Sequence, residues 1–124
     1  MKYLILIYSN PEPWGHPTID FTEVGRAIPD DERAAMHKEF EEMLAEISES
    51  GEFVTAQALG APAESTIYRV GSKGRRVATD GPYAEAKEQL AGFFLIDVAS
   101  RERAEELASR FAGPGDTVEL RPVM

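Results

Sequence analysis

Asp80-Gly81-Pro82-Tyr83-Ala84-Glu85-Ala86-Lys87-Glu88-Gln89-Leu90-Ala91-Gly92-Phe93-Phe94-Leu95-Ile96 sets a turn, a charged segment and a strand in direct succession. Asp-Gly-Pro is turn chemistry, because the aspartate accepts nearby N–H groups while glycine and proline bend the chain. The run that follows, Phe93 to Val98, is apolar at both parities, and side chains alternate across a strand. It therefore predicts a central strand covered on both faces. Tyr3 to Tyr8 has the same property, with Tyr3, Ile5 and Ile7 on one side and Leu4, Leu6 and Tyr8 on the other. The two segments are expected side by side in one sheet.

Working outward, four weaker strands are readable at Phe53–Leu59, Ser65–Val70, Arg75–Thr79 and Thr117–Arg121. The second and third flank Gly71-Ser72-Lys73-Gly74, a hairpin turn. A helix is predicted over Asp31–Ser50, where Met36, Phe40, Met43, Leu44 and Ile47 recur at helical spacing between Pro29-Asp30 and Gly51. Its outer face carries Glu39, Glu42, Glu46 and Glu49. A second helix runs from Arg101 to Ala112, with Ser100 as N-cap, Ala104, Leu107, Ala108 and Phe111 as its apolar stripe, and Gly113-Pro114-Gly115 ending it. The order is that of an α+β, ferredoxin-like βαββαβ unit with an extra β-hairpin. Two helices cover one face of such a sheet. The other face needs a cover, and a second copy of the chain supplies it, giving a homodimer with the form of a dimeric α/β barrel.

The 124 residues suit one domain spanning 1–124, and the net charge of −9 repels phosphate backbones and anionic membranes. Neither nucleic acid nor a membrane is expected as a partner. No cysteine is present, which removes disulfides, thiol nucleophiles and Cys-ligated metals and is compatible with a cytoplasmic location. The apolar N-terminal run is too short to span a bilayer and lacks a small-residue cleavage site. Phosphate-loop, dinucleotide and nucleophile-elbow motifs are absent, and no bound cofactor is expected. The segment from Ser9 to Ile28 carries three prolines, two glycines, Trp14 and His16 without periodicity, and a loop of this length is usually functional or mobile.

The start of the chain (Lys2 to Tyr8), the Asp80–Phe94 stretch and the end (Val118 to Val123) together resemble the YCII-related family, in particular its DGPF-motif proteins, with Tyr83 where phenylalanine is usual. The resemblance implies a small dimeric α/β barrel. It also implies either acid/base chemistry by a His and Asp pair of the lyase, isomerase or dehalogenase type, or a non-enzymatic regulatory module associated with sigma-factor-type transcription regulation.

His37 and Asp80 are the candidate catalytic pair. His37 lies on the flank of the first helix's apolar stripe, where an imidazole serves as acid or base, unless it is an ordinary boundary histidine. Asp80 stands at a strand end, where it either fixes the turn or orients His37. Tyr8 and Tyr83 are candidate hydrogen-bond donors in an apolar wall, and Glu85 and Lys87 candidate polar contacts to a small-molecule ligand. The same charges suit a solvated surface equally. His16 with Asp20 lacks a third ligand, so no metal is expected.

Overall fold

The computed structural model describes residues 1–15, 19–84 and 87–124. The chain is α+β, with strands β1 (Lys2–Ser9), β2 (Phe53–Ala58), β3 (Thr66–Val70), β4 (Arg76–Asp80), β5 (Gln89–Asp97) and β6 (Thr117–Pro122). Its helices are α1 (Glu23–Arg26), α2 (Asp30–Ser50) and α3 (Arg101–Phe111). Ser100 caps α3 by accepting the Arg103 N–H at 3.1 Å. Gly51 ends α2 at φ +83°, a left-handed conformation that glycine adopts without penalty.

Four strands form one antiparallel sheet in the order β2-β5-β1-β6, and β3 and β4 form a separate antiparallel pair. The two doubly apolar strands are therefore the central ones. Tyr3 pairs with Ile96 and Ile5 with Phe94, and these side chains lie on the helix-covered face. Met43 and Ile47 of α2 and Leu107 and Phe111 of α3 close over them. Phe111 and Phe94 meet at 4.6 Å between ring centroids, and Phe40 stands edge-on to Phe111 at 5.5 Å. On the opposite face the cross-strand pairs Leu4–Leu95 and Leu6–Phe93 are only half-buried. The sheet does not close into a barrel among the described residues of one chain.

Two features depart from the sequence reading. Strand β5 begins at Gln89 rather than Phe93, with a register irregularity opposite Ile7 and Tyr8. Gly92 permits this, since a Cβ there would lie 2.7 Å from the Gln57 carbonyl of β2. The latter part of the Ser9–Ile28 segment, from Ile19, is also more structured than a loop: a 3₁₀ turn, Ile19–Phe21, leads into α1. The Thr22 hydroxyl caps α1 by accepting the Gly25 N–H at 3.0 Å, and the Glu12 N–H donates to Phe21 O at 2.7 Å. Among the described residues, no helix is long and apolar enough to cross a membrane.

Candidate functional site

Helical spacing puts Arg33 and His37 of α2 on one face, four residues apart. The Ile19–Phe21 turn carries Asp20 to that face. Arg33 Nη1 donates to Asp20 Oδ1 at 3.1 Å, and His37 Nε2 lies 2.8 Å from Asp20 Oδ2. Arg33 also pairs with Asp30 one turn earlier, which fixes its fork at the start of the helix. An ionised carboxylate only accepts, so the Asp20 contact makes Nε2 the donor and leaves Nδ1 as the lone-pair nitrogen of a neutral ring. Asp20 thus orients His37, and Arg33 orients Asp20.

His37 lines a cavity of about 660 Å³ between α2 and the end of α3. Its walls are largely apolar, from Ile7, Ile19, Met36, Phe40, Met43 and Phe111. The polar members besides His37 are Glu39, Glu42, Arg110 and Asp116. Asp116 is held by the turn after α3, where its N–H donates to Gly113 O at 3.1 Å. Gly115 makes this turn possible twice over. Its φ is +86°, and a Cβ there would lie 2.8 Å from Thr22 Oγ1. Thr22 therefore both caps the helix that follows Asp20 and packs against the turn that presents Asp116.

Burial pushes the Asp116 carboxyl above its ordinary range, and the charge of Glu88 adds to the shift. The nearby Ser9 hydroxyl partly offsets it. Ser9 Oγ and Asp116 Oδ1 are both buried, and among the described residues neither has a partner other than this long contact to one another.

The other sequence candidates lie elsewhere. Asp80, at the exposed end of β4 opposite Thr66, is not among the residues lining the cavity, and the carboxylate on His37 is that of Asp20. The turn at Gly81 is held by backbone instead, with the Gly81 N–H donating to Ser65 O at 2.8 Å. Tyr8 and Ile7 are neighbours on β1, so strand alternation sends them to opposite faces. Ile7 lines the cavity, while the Tyr8 hydroxyl donates to Glu119 Oε1 at 2.9 Å. Burial first, then that carboxylate, raises the Tyr8 phenol. Tyr83 is 76% exposed, with the Arg69 guanidinium 5.4 Å from its ring centre. Lys87 is exposed in a bend, and Glu85 and His16 lie outside the described residues. Among the described residues no group of three or more His, Cys, Asp or Glu side chains is arranged to hold a metal ion.

Sequence reasoning missed Arg33 and Asp116 and assigned Asp20 only to a weak metal pair. Arg33 had a signal, its i, i+4 relation to His37. Asp116 had one too, as the acid that follows a Gly-Pro-Gly helix stop.

The YCII-related domain model matches residues 1–124, and the chain belongs to that family. It is also similar to the "Uncharacterized protein R00369" of Rhizobium meliloti (strain 1021), with 42% identity over 55 residues. That match covers 42% of this chain and 44% of the relative, so the aligned part is less than half of either.

Proposed function

We propose that this member of the YCII-related family binds a small organic molecule in the cavity between α2 and the turn after α3, and moves a proton on it with His37, without a bound cofactor. The observation that carries the reading is the Asp20–His37 contact at the wall of a largely apolar cavity. A hydrogen-bonded carboxylate fixes one tautomer and leaves the other ring nitrogen as base, the arrangement that general acid–base chemistry requires. Lyase, isomerase and dehalogenation steps that pass through an enolate begin with such a proton transfer. The strand order β2-β5-β1-β6, with helices after β1 and β5, supports a ferredoxin-like reading. The half-buried Leu4, Leu6, Phe93 and Leu95 support pairing of two such sheets in a homodimer.

The test is solvent-deuterium incorporation at the carbon beside the carbonyl in a panel of small carbonyl compounds, followed by proton NMR. The wild-type protein is expected to accelerate exchange in a subset of the panel, and His37→Ala to lower that rate by about a hundredfold or more. Exchange unaffected by His37→Ala defeats the assignment.

A second reading, a non-enzymatic interaction module, is favoured by the β3–β4 pair. Tyr68 is 71% and Val70 68% exposed there, and Arg69, Lys73, Arg75 and Arg76 make it basic in an acidic chain. Binding of panel compounds without any exchange favours this reading.

A further inference from the structure

Strands β3 and β4 pair with each other alone and contribute no residue to the core beneath the helices. A two-stranded ribbon of this kind is marginal in water unless something packs on it. Its register sets Tyr68 opposite Ala78 and Val70 opposite Arg76, so Tyr68, Val70 and Ala78 form one apolar face. All three are exposed. On the other face Ile67 is half-buried and Arg69 lies over the Tyr83 ring. Charge separates the ribbon from the body as well. Residues 66–80 hold four cations, Arg69, Lys73, Arg75 and Arg76, against one acid, Asp80, a net +3. The rest of the chain then holds nine cations and twenty-one acids, a net −12. Arg33, Arg101, Arg103 and Arg110 on the helices all have carboxylate partners, whereas none of the four ribbon cations has one among the described residues.

We propose that the β3–β4 ribbon is an arm that lies on the second copy of the homodimer, with Tyr68, Val70 and Ala78 against the partner's surface and Lys73, Arg75 and Arg76 meeting its carboxylates. The inference rests on the homodimer reading and adds a second contact to it. It is independent of the proton-transfer reading, since among the described residues no ribbon residue lines the cavity. Charge and size together select the occupant. A cover for this face must be apolar at its centre and acidic around it. A second copy brings a body of −12 to a ribbon of +3, whereas a nucleic acid is repelled by that same body. Two acidic bodies also repel each other, and a basic arm laid on each offsets part of that repulsion. The ribbon's two five-residue strands are too few to hold two copies alone, because a stable interface takes about 20–30 residues a side. The arm therefore acts on a partner already held by the half-buried Leu4, Leu6, Phe93 and Leu95.

The chain contains no cysteine, so Ala78→Cys places a single thiol on the Tyr68 face, and a benzophenone photo-cross-linker can be attached there alone. The full chain is irradiated at low micromolar concentration, and a denaturing gel separates chains joined to each other from chains joined only to themselves. Covalent dimers are expected from Ala78→Cys, and fewer from Thr79→Cys, whose label lies on the opposite face. Lys73→Glu, Arg75→Glu and Arg76→Glu introduced together should cut the covalent-dimer yield from the Ala78→Cys label about fivefold or more, while light scattering still gives the dimer mass. None of these residues belongs to the core, so the variants are expected to fold. A dimer by light scattering whose cross-links stay within one chain, or whose covalent-dimer yield is unmoved by the charge reversal, overturns the arm and leaves the homodimer standing. A wild-type monomer overturns the homodimer and this inference with it. Retention of a dT oligonucleotide by the wild-type chain, lost on charge reversal, makes the ribbon a nucleic-acid surface and likewise overturns the arm.

Discussion

His37 Nε2 and Asp20 Oδ2 lie 2.8 Å apart, joining the third turn of a long helix to a 3₁₀ turn seventeen residues earlier. Both side chains are about two-fifths exposed, so the contact is worth less than about 1 kcal/mol of stability. Its consequence is orientation. Asp20→Ala should leave the melting temperature nearly unchanged yet convert a single Nε2–H tautomer of His37 into a mixture, read from long-range ¹⁵N–¹H correlations of the ring. A melting loss equivalent to several kcal/mol would make the pair a structural element instead.

Asp116 predicts a pH dependence of definite sign. Its carboxyl is raised above the ordinary value of 3.8 by burial, so its favourable contribution is complete below that value and is lost as pH rises through the folded-state value. Asp116→Asn removes the ionisation. Thermal melts should therefore show the variant gaining on the wild type between about pH 3 and pH 7. A constant difference across that range would mean that the group is not held by burial.

The fold was legible where one physical cause governs. Double-sided apolarity in Tyr3–Tyr8 and Phe93–Val98 identified central strands, and Ser100 and Gly51 marked helix ends through their own hydrogen bonding and backbone freedom. Of the polar side chains that line the cavity, only His37 was singled out from the sequence as a chemical group. Asp20 meets it because Thr22, Gly25 and Gly115 fold the early segment against the turn after α3, a tertiary arrangement with no periodic trace in the sequence. At Gly25, for example, a Cβ would fall 1.7 Å from the Ile19 carbonyl oxygen, so the glycine reports a close approach whose partner cannot be read from the chain. Asp80 drew attention for its place in a recognisable motif. It stands exposed on the β3–β4 pair, and that pair's position relative to the cavity is likewise a tertiary fact.

Acid stability should depend on Glu52. Arg103 donates from Nε and Nη2 to its two oxygens at 2.9 Å each, joining the start of α3 to the residue before β2. These bonds, with help from Ser50, hold the Glu52 carboxyl down at about 2 against an ordinary 4.5. Its contribution is thus complete above 4.5 and disappears as pH falls toward 2. Glu52→Gln should cost about 1–2 kcal/mol near neutrality by chemical denaturation, and the cost should shrink in acid over that window. An equal cost at both ends would locate the effect in packing rather than charge.

Gly81 should resist substitution for a steric reason. A Cβ there would fall 2.0 Å from Ser65 Oγ and 3.0 Å from the Ser65 carbonyl oxygen, which accepts the Gly81 N–H. The hydroxyl can move but the backbone oxygen cannot. Gly81→Ala is expected to destabilise by about 1–3 kcal/mol, the usual cost of overpacking, and Gly81→Ala with Ser65→Gly to recover part of it. No recovery in the double variant would show that the Ser65 side chain is not the obstacle.

The half-buried sheet face leads to the prediction about assembly. Leu4 pairs with Leu95 and Leu6 with Phe93 across β1 and β5, on the side away from α2 and α3. Burying large apolar side chains stabilises by about 1.5–3 kcal/mol each, so four of them from each of two chains favour association strongly. We therefore expect light scattering at low micromolar concentration to give twice the chain mass of 13.7 kDa. Leu6→Arg should reduce it to the monomer mass, because the new charge must leave water for the dimer to form. The variant should stay folded, since Leu6 does not belong to the cluster beneath the helices. A wild-type monomer that binds no hydrophobic dye would show that this face does not need a cover.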